Sequence, residues 1–440
     1  MSMKRLATRV GCGAGFAGDR VDAAVRLVAS GEIDAIGLEC LAERTLLPAL
    51  KARAANPESG YDPRLRRRLS PLLPVAHERG CAILTNLGQA NPVAAGQKIA
   101  ELAHTLGIRG LNVAAVHGDD VLHMAQEIAW DKPLVAPLVG AHAYLGAVPM
   151  AQALAQGADV VVTGRVADSA LFAAPAMAQL DGSEQALAGA LTVGHLLECS
   201  GQLTGGNFEP IGGALLSAQD YAQLGFPLAH VHSDGSAELR LAPGDAGRLD
   251  TQTATLQLLY EVHDPARYAT PDLVLDFSEV QFEPLGPNRI GLSGARSRGK
   301  PPTLKVAGFM ELPGWIADVE IGFAGTHAWQ RAQRAAEVLR LRLSDWKDDD
   351  LSIDWVGVNS VLRSGALPLQ AAPPELRLHV SARCPDPEAA QIIEDEVYAL
   401  TLSGPAGGCS VRSERRARIE VVDGYLAAER VQTGIEWSRS

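Results

Sequence analysis

Asp159–Leu171 reads DVVVTGRVADSAL. Its first five residues, Asp159–Thr163, form a β-branched apolar run of strand length. Gly164-Arg165 breaks that run. Asp168-Ser169 then opens an apolar-periodic helix, Ala170–Leu180, with Asp168 placed as its N-cap. The order is strand, tight polar turn, helix start. In an open α/β sheet such a turn lies at the carboxyl edge, where ligands bind. The helix start offers free N–H groups and a positive dipole end to an anion. Arg165 adds a permanent cation whose fork suits carboxylate or phosphate.

Working outward, the first half repeats this rhythm. Arg9–Cys12, Ala35–Glu39, Ala82–Asn86, Leu111–Val116 and Leu134–Val139 read as five earlier strands. Asp19–Ala29, Arg64–Glu78 and Pro92–Leu106 read as helices between them. The alternation predicts an α/β fold: an N-terminal, mostly parallel sheet with helices on both faces. After about Thr270 the pattern changes. Leu273–Phe282 and Arg289–Ser293 predict a hairpin around Gly286-Pro287-Asn288. Further strand-like runs, with long helices at Ala328–Leu343 and Pro387–Leu400, predict a smaller C-terminal α+β domain with a mixed or antiparallel sheet. The boundary falls at His263–Pro271, giving domains 1–268 and 269–440.

Each strand of the first half ends in residues useful to a ligand. Glu39 ends the second, with Glu43 a turn further. Asn86, Gly88 and Asn91 follow the third; His117, Asp119 and Asp120 follow the fourth. Gly140 and His142 follow the fifth, and Arg165 and Asp168 the sixth. Parallel strands would bring all of these to one edge. Turns are polar on any fold, so the set carries the argument rather than any one member. Further on, Glu198–Phe208 reads ECSGQLTGGNF. Gly205 and Gly206 let backbone approach a ligand, and Thr204 and Asn207 can orient it. A helix C-cap and flexible crossover is the plain reading of the same residues.

Gly13-Ala14-Gly15-Phe16-Ala17-Gly18 matches G-x-G-x-x-G, with Glu39 near the place of a ribose acid. The strand before it is short, and Asp19 follows where a pyrophosphate would lie. A tight turn, or a phosphate cradle on Gly13, Gly15 and Gly18, is therefore favoured over a dinucleotide site. His117, Asp119 and Asp120 with His142 could suit a divalent ion, but a capped helix start is the simpler reading and no metal site is assigned. Cys40 and Cys199 sit in turns, yet spacing assigns no nucleophilic pair.

Hydrophobic residues make up 47% of the 440 and charged residues 20%, enough apolar side chain for a large core. The formal charge of −12 argues against nucleic acid or an anionic membrane as partner. The start, MSMKRLATRVG, has no apolar segment of signal-peptide length, and no run suggests a membrane helix. Six scattered cysteines without a C-x-x-C pair read as reduced thiols of a cytoplasmic protein. A homo-oligomer is the expectation from size and class.

Six ordered motifs give the chain a family likeness. They are GCGAGFAGDR from Gly11, GLECLAERT from Gly37, GYDPRL from Gly60, TNLGQANP from Thr85, VVTGRVADSAL from Val161 and GQLTGGNF from Gly201. Together they resemble the acyclic terpene utilisation family of bacterial proteins. The resemblance implies a bacterial cytosolic protein of citronellol- and geraniol-type catabolism, which runs through acyl-CoA esters. It assigns no residue a catalytic role. Some members carry a further small C-terminal domain, of which this chain shows no clear copy.

The resulting expectation is a catabolic enzyme acting on a small carboxylic acid or acyl-CoA ester, of hydratase/dehydratase or isomerase type. Coenzyme A enters as part of the substrate. Glu39 is the expected general base, with His117 or Asp119 as proton donor. Asn86, Asn91, Arg165, Asp168 and Thr204–Asn207 are the expected substrate contacts. The alternatives are a dinucleotide-dependent oxidoreductase on Gly13, Gly15, Gly18 and Glu39, and a non-catalytic partner subunit of an acyl-CoA enzyme.

Overall fold

The computed structural model describes residues 7–347, 349–361 and 372–440. The chain forms two compact units. The first takes the described chain to Pro133, then Val139–Phe309 and Val421–Ser440. The second takes Leu134–Leu138 and Met310–Glu420. The division therefore does not fall at residue 268: the hairpin after it and the last strand both belong to the first unit.

The first unit is built on a ten-stranded sheet. Its strands are β1 (Ala7–Ala14), β2 (Ala35–Leu38), β3 (Ala82–Thr85), β4 (Asn112–His117), β5 (Val160–Thr163), β6 (Leu228–His232), β7 (Ala237–Arg240), β8 (Gln281–Gly286), β9 (Arg289–Ser293) and β10 (Gly434–Arg439). Their order is β8-β9-β7-β6-β1-β2-β3-β5-β4-β10. The five central strands, β1-β2-β3-β5-β4, pair parallel. Every outer pairing is antiparallel. The expected mostly parallel sheet is thus a mixed one with a parallel centre. The antiparallel flanks come from segments with hairpin signals, such as Asp234-Gly235 between β6 and β7.

Alternate residues of the central strands face opposite cores. Val113, Ala115, Val160 and Val162 pack with α3 (Leu65–Arg79) and α4 (Pro92–Thr105). Ala114, Val116 and Val161 pack with α5 (Val148–Ala155), α6 (Asp168–Ala173) and α7 (Glu184–Leu197). Burying one such valine contributes about 1.5–3 kcal/mol. Pro71 and Pro74 lie within α3, which runs unbroken past both.

The two cores reveal where the winding reverses. From β3 the chain leaves over one face through α4 and reaches β4. From β5 it leaves over the other face through α6 and α7, and reaches β6 beyond β1. β3 and β5 are neighbours. Their outgoing connections diverge, which makes their carboxyl ends a topological switch point, called the crevice below.

The expected fifth strand, Leu134–Val139, is displaced. The strand runs Leu138–Ala143 and pairs with Thr303–Ala324, outside the parallel sheet. Pro133 and Pro137 flank the apolar run that suggested the earlier position, and the chain has no strand there.

In the second unit Leu351–Val356 and residues of Thr303–Ala324 pair antiparallel with the two sides of Glu375–Cys384. Helices Ala328–Arg342 and Pro387–Ser403 bury Ala332, Leu339, Ile393 and Val397 against it. Among the described residues no helix is long and apolar enough to cross a membrane.

Candidate active site

The crevice between β3 and β5 holds the residues that follow those strands. Asn86 comes from β3, Arg165 from β5, and Glu39 from the neighbouring β2. All three are buried. The Asn86 carbonyl oxygen accepts the Cys40 N–H at 2.7 Å, and its amide donates to Glu39 Oε1 at 3.0 Å. The Leu41 N–H donates to the same Oε1 at 2.8 Å. Both N–H donors thus fall on Oε1, which leaves Oε2 as the place for a proton.

Arg165 is 2% exposed and almost fully engaged by its own protein. Nη1 donates to Leu41 O at 2.6 Å; Nε and Nη2 donate to Val166 O at 2.9 and 2.7 Å. Nη2 also meets Asp168 Oδ1. The guanidinium carbon lies 4.6 Å from the centre of the Tyr144 ring. Burial works against the Arg165 charge, but Asp168, Tyr144, Glu39 and Glu43 outweigh it and hold the group cationic. Arg165 is therefore a fixed charge in the floor of the site rather than an open carboxylate fork.

Asp168 begins α6 but does not cap it. Ala167 is the N-cap residue and makes no side-chain bond to the helix. The Asp168 carboxylate turns back to Arg165 instead. Protein crowds it, yet 39% of its side chain stays open to solvent. Burial pushes its carboxyl up to about 7; Arg165 opposes this, and Glu198 and Glu43 reinforce it. Burial and the nearby Asp168 also push Glu39 well above the usual carboxylate range. Glu43, at the start of α2 (Glu43–Ala55), takes the other course. Burial would raise it, but the Tyr144 hydroxyl donates to it and Arg165 attracts it, so it lies below its ordinary value.

Glu198 completes the ring from the end of α7. His195 Nδ1 meets Glu198 Oε1 at 2.8 Å, and His195 Nε2 meets Leu258 O at 3.1 Å. Burial disfavours the imidazolium, but Glu198 outweighs it and raises the histidine. The ring stacks on Phe277 at 5.7 Å and tilts against Tyr268 at 5.0 Å. Tyr144, Glu198 and His195 were not singled out in the sequence. Tyr144 comes directly after the strand Leu138–Ala143, and placing that strand too early hid it.

The other expected residues lie elsewhere. Asp119 reaches the crevice only as a brace. Its Oδ2 accepts the Arg165 N–H at 2.9 Å and meets His142 Nδ1 at 2.8 Å. A Cβ at Gly164 would come within 2.5 Å of that oxygen, which is why the turn needs glycine. His117 and Asn91 line a separate cavity of about 590 Å³ with Arg53 and His123. Asn91 caps α4 and donates to Pro57 O and Ser59 O, both at 2.8 Å.

The glycine loop offers no phosphate cradle. Gly13 lies within β1, its α-carbon packed toward Ile36 and Leu38. The Gly15 N–H is taken by Asp19 Oδ2 at 3.0 Å, and the Ser200 hydroxyl donates to the same oxygen at 2.6 Å. At Gly18 a Cβ would come within 2.9 Å of the Phe16 ring. The carboxylate of Asp19 stands where an anion would sit. Thr204–Asn207 is likewise occupied with its own turn. Thr204 Oγ1 donates to Gly225 O at 2.7 Å, Gly206 N to Gly201 O at 2.7 Å, and the Asn207 amide to Gln202 at 3.4 Å. Gly205 takes a φ of +100° beside Leu216 and Arg248. Burial pushes the thiols of Cys40 and Cys199 far above their ordinary value, so neither supplies a thiolate. Among the described residues no group of three or more His, Cys, Asp or Glu side chains is arranged to hold a metal ion.

A family model described as acyclic terpene utilisation family protein AtuA matches residues 8–437. The chain belongs to that family. In this member of the acyclic terpene utilisation family the match covers all the strands of the ten-stranded sheet, at least in part, and every residue of the crevice. No curated protein matches the chain.

Proposed function

We propose that the protein is a catabolic enzyme that moves protons on a small carboxylic acid or its acyl-CoA ester, as a hydratase/dehydratase or an isomerase. One observation carries the reading: two carboxyl groups of raised proton affinity, Asp168 and Glu39, lie close enough to act on one another at the switch point, beside the buried cation Arg165. Groups with such neighbours are how a fold runs acid/base chemistry near neutral pH. Asp168, partly open and poised near 7, is the base for a proton next to a carbonyl. Glu39, its proton affinity raised by burial and by Asp168, is the acid, with Oε2 as the place for its proton. Arg165 faces the negative charge that develops on the substrate. Asp119 and His142 keep the Arg165 turn in place rather than donating protons.

The test is proton exchange. Wild-type protein in deuterated water with a panel of short and branched CoA thioesters is expected to place deuterium next to a carbonyl, or to add or remove water, as read by mass spectrometry. Normal turnover by both Asp168→Asn and Glu39→Gln on the responding substrate sinks the reading.

A further inference from the structure

The strand Cys409–Ala427, which belongs to the second unit as far as Glu420, has a free side. In its sheet the order is Leu351–Val356, Glu375–Cys384, Thr303–Ala324, Cys409–Ala427 and Ala129–Trp130. The last of these pairs only with Gly424 and Tyr425, and the Asp131 N–H takes Asp423 O. Among the described residues no strand pairs with the outer side of Ser410–Val422. That is a long row of unpaired N–H and C=O groups, the kind of edge that a second strand joins unless something prevents it.

One face of that stretch carries Arg412, Glu414, Arg416, Arg418 and Glu420 at alternate positions. Their charges are poorly used within the chain. Among the described residues Arg412 and Glu420 have no side-chain partner. Glu414 lies 3.7 Å from Arg416, and Arg418 Nη1 donates to Pro313 O at 3.3 Å. Arg412 and Glu420 stand roughly 27 Å apart along the strand, so they cannot satisfy each other. They can satisfy a copy. Laid antiparallel about a two-fold axis at Arg416, near the middle of the free edge, the strand sets Arg412 against the partner's Glu420 and Glu414 against the partner's Arg418, each twice. Arg416 meets the partner's Arg416, the one like-charge contact on this face, with Glu414 beside it. An axis at Arg415 would set Arg412 against the partner's Arg418, and an axis at Ala417 would set Glu414 against the partner's Glu420. Charges of one sign would repel a copy in every register; these favour one.

The other face offers apolar surface to the same partner. The Ser413 hydroxyl donates to Glu394 Oε1 at 2.7 Å, and Arg415 Nε meets Glu394 Oε2 at 2.8 Å. The helix Pro387–Ser403 therefore covers the odd-numbered face. Tyr398 and Leu402 follow Glu394 by one and two turns on the same side of that helix, and they are 64% and 95% exposed. An axis perpendicular to the sheet keeps both helices on one face of the joined sheet, with these apolar stripes flanking the seam.

We propose that this edge is the seam of a homodimer: Ser410–Val422 pairs antiparallel with the same stretch of a second copy, in the register centred on Arg416. The joined sheet then runs without a break from Leu351–Val356 of one copy to the partner's Leu351–Val356. Backbone hydrogen bonds across the seam hold the copies together. The four charge pairs select the register, and Tyr398 and Leu402 exclude water on the helix side.

Sedimentation velocity on the intact chain over a dilution series reads the seam. The wild type is expected to be a dimer, or an even-numbered assembly built from it, that loosens as salt is raised. Arg412→Glu and Glu420→Arg each create two like-charge contacts and are each expected to weaken the dimer by about ten-fold or more. Both together in one chain restore opposite charges and are expected to return the dimer toward wild-type affinity. Tyr398→Glu combined with Leu402→Glu, both at exposed positions, is expected to weaken it as well. The register has its own readout. In a Cys409→Ser background, Arg416→Cys puts two thiols face to face across the axis, and oxidised glutathione is expected to link the copies. Ser413→Cys, with its copies roughly 20 Å apart, is expected to stay unlinked. A monomer at every concentration overturns the proposal. So does a dimer indifferent to Arg412→Glu or to the helix variant, a double reversal no tighter than the single ones, or linkage at Ser413→Cys as readily as at Arg416→Cys.

Discussion

Asp19 and Asp168 make an instructive pair. Each is an aspartate in the turn that follows a parallel strand of the same sheet, Asp19 after β1 and Asp168 after β5. Asp19 is fully matched: the Gly15 N–H and the Ser200 hydroxyl both end on its Oδ2, and the Arg20 N–H on its Oδ1 at 2.8 Å. Asp168 has Arg165 as its one described side-chain partner, faces Glu198 and Glu43, and keeps part of its side chain open. One carboxylate is a structural peg; the other keeps an open side beside two further carboxylates. Local sequence does not separate them. The difference lies in which donors the rest of the fold delivers, and Ser200 comes from 181 residues away.

The strongest way to break this contrast is kinetic. Asp168→Asn is expected to lower turnover by about 10²–10⁴-fold, the usual worth of a positioned acid or base. Asp19→Asn is expected to leave kcat within about two-fold, a span far below that of a lost catalytic group. Equal losses in the two variants would erase the distinction. Next in size is Arg165→Met. It strands carboxylates in the crevice floor and is expected to cost about 3–5 kcal/mol in urea unfolding. Asp19→Ala leaves the Gly15 N–H and the Ser200 hydroxyl without their acceptor, for about 1–3 kcal/mol by the same measurement.

A smaller effect should appear with pH. An ordinary aspartate titrates near 3.9, whereas Asp168 is raised to about 7. Across that window the native protein holds a proton that the unfolded chain has released. Stability from this group therefore falls as pH rises from about 4 to 7, and it stays lowered above. Its open side is screened by water, which keeps the effect modest. Asp168→Asn is expected to flatten that part of the stability profile and to melt roughly 2 °C higher at pH 8. A profile unchanged by the substitution would place the carboxyl at its ordinary value. Smallest of all, NAD(H), NADP(H) and flavins are expected to shift the melting temperature by less than about 1 °C, because Asp19 already fills the glycine loop.

Much of this site was legible from the chain. Val160–Thr163, Ala82–Thr85 and Ala35–Leu38 declare themselves as buried strands, and the turns after them bring Glu39, Asn86 and Arg165 together. What escaped depends on contacts distant in sequence. The G-x-G-x-x-G string looks like an anion cradle until Ser200 and Asp19 are seen to close it. Thr204 looks like a ligand contact until Gly225 O takes its hydroxyl. Arg68 is the buried arginine of α3, and its only local mark is its place on the apolar stripe, three residues after Leu65 and four before Leu72. The antiparallel margins of the sheet were hidden for the same reason: a strand's partner is chosen by the fold, not by its own residues.

The last strand carries a consequence for biogenesis. β10 covers the free side of β4, and the Leu111 N–H ends on the Ser440 hydroxyl across 329 residues. During translation β4 is therefore made long before its outer neighbour exists. Its unsatisfied backbone is an invitation to stray pairing in the emerging polypeptide, and shielding by a ribosome-associated chaperone would matter most in that interval.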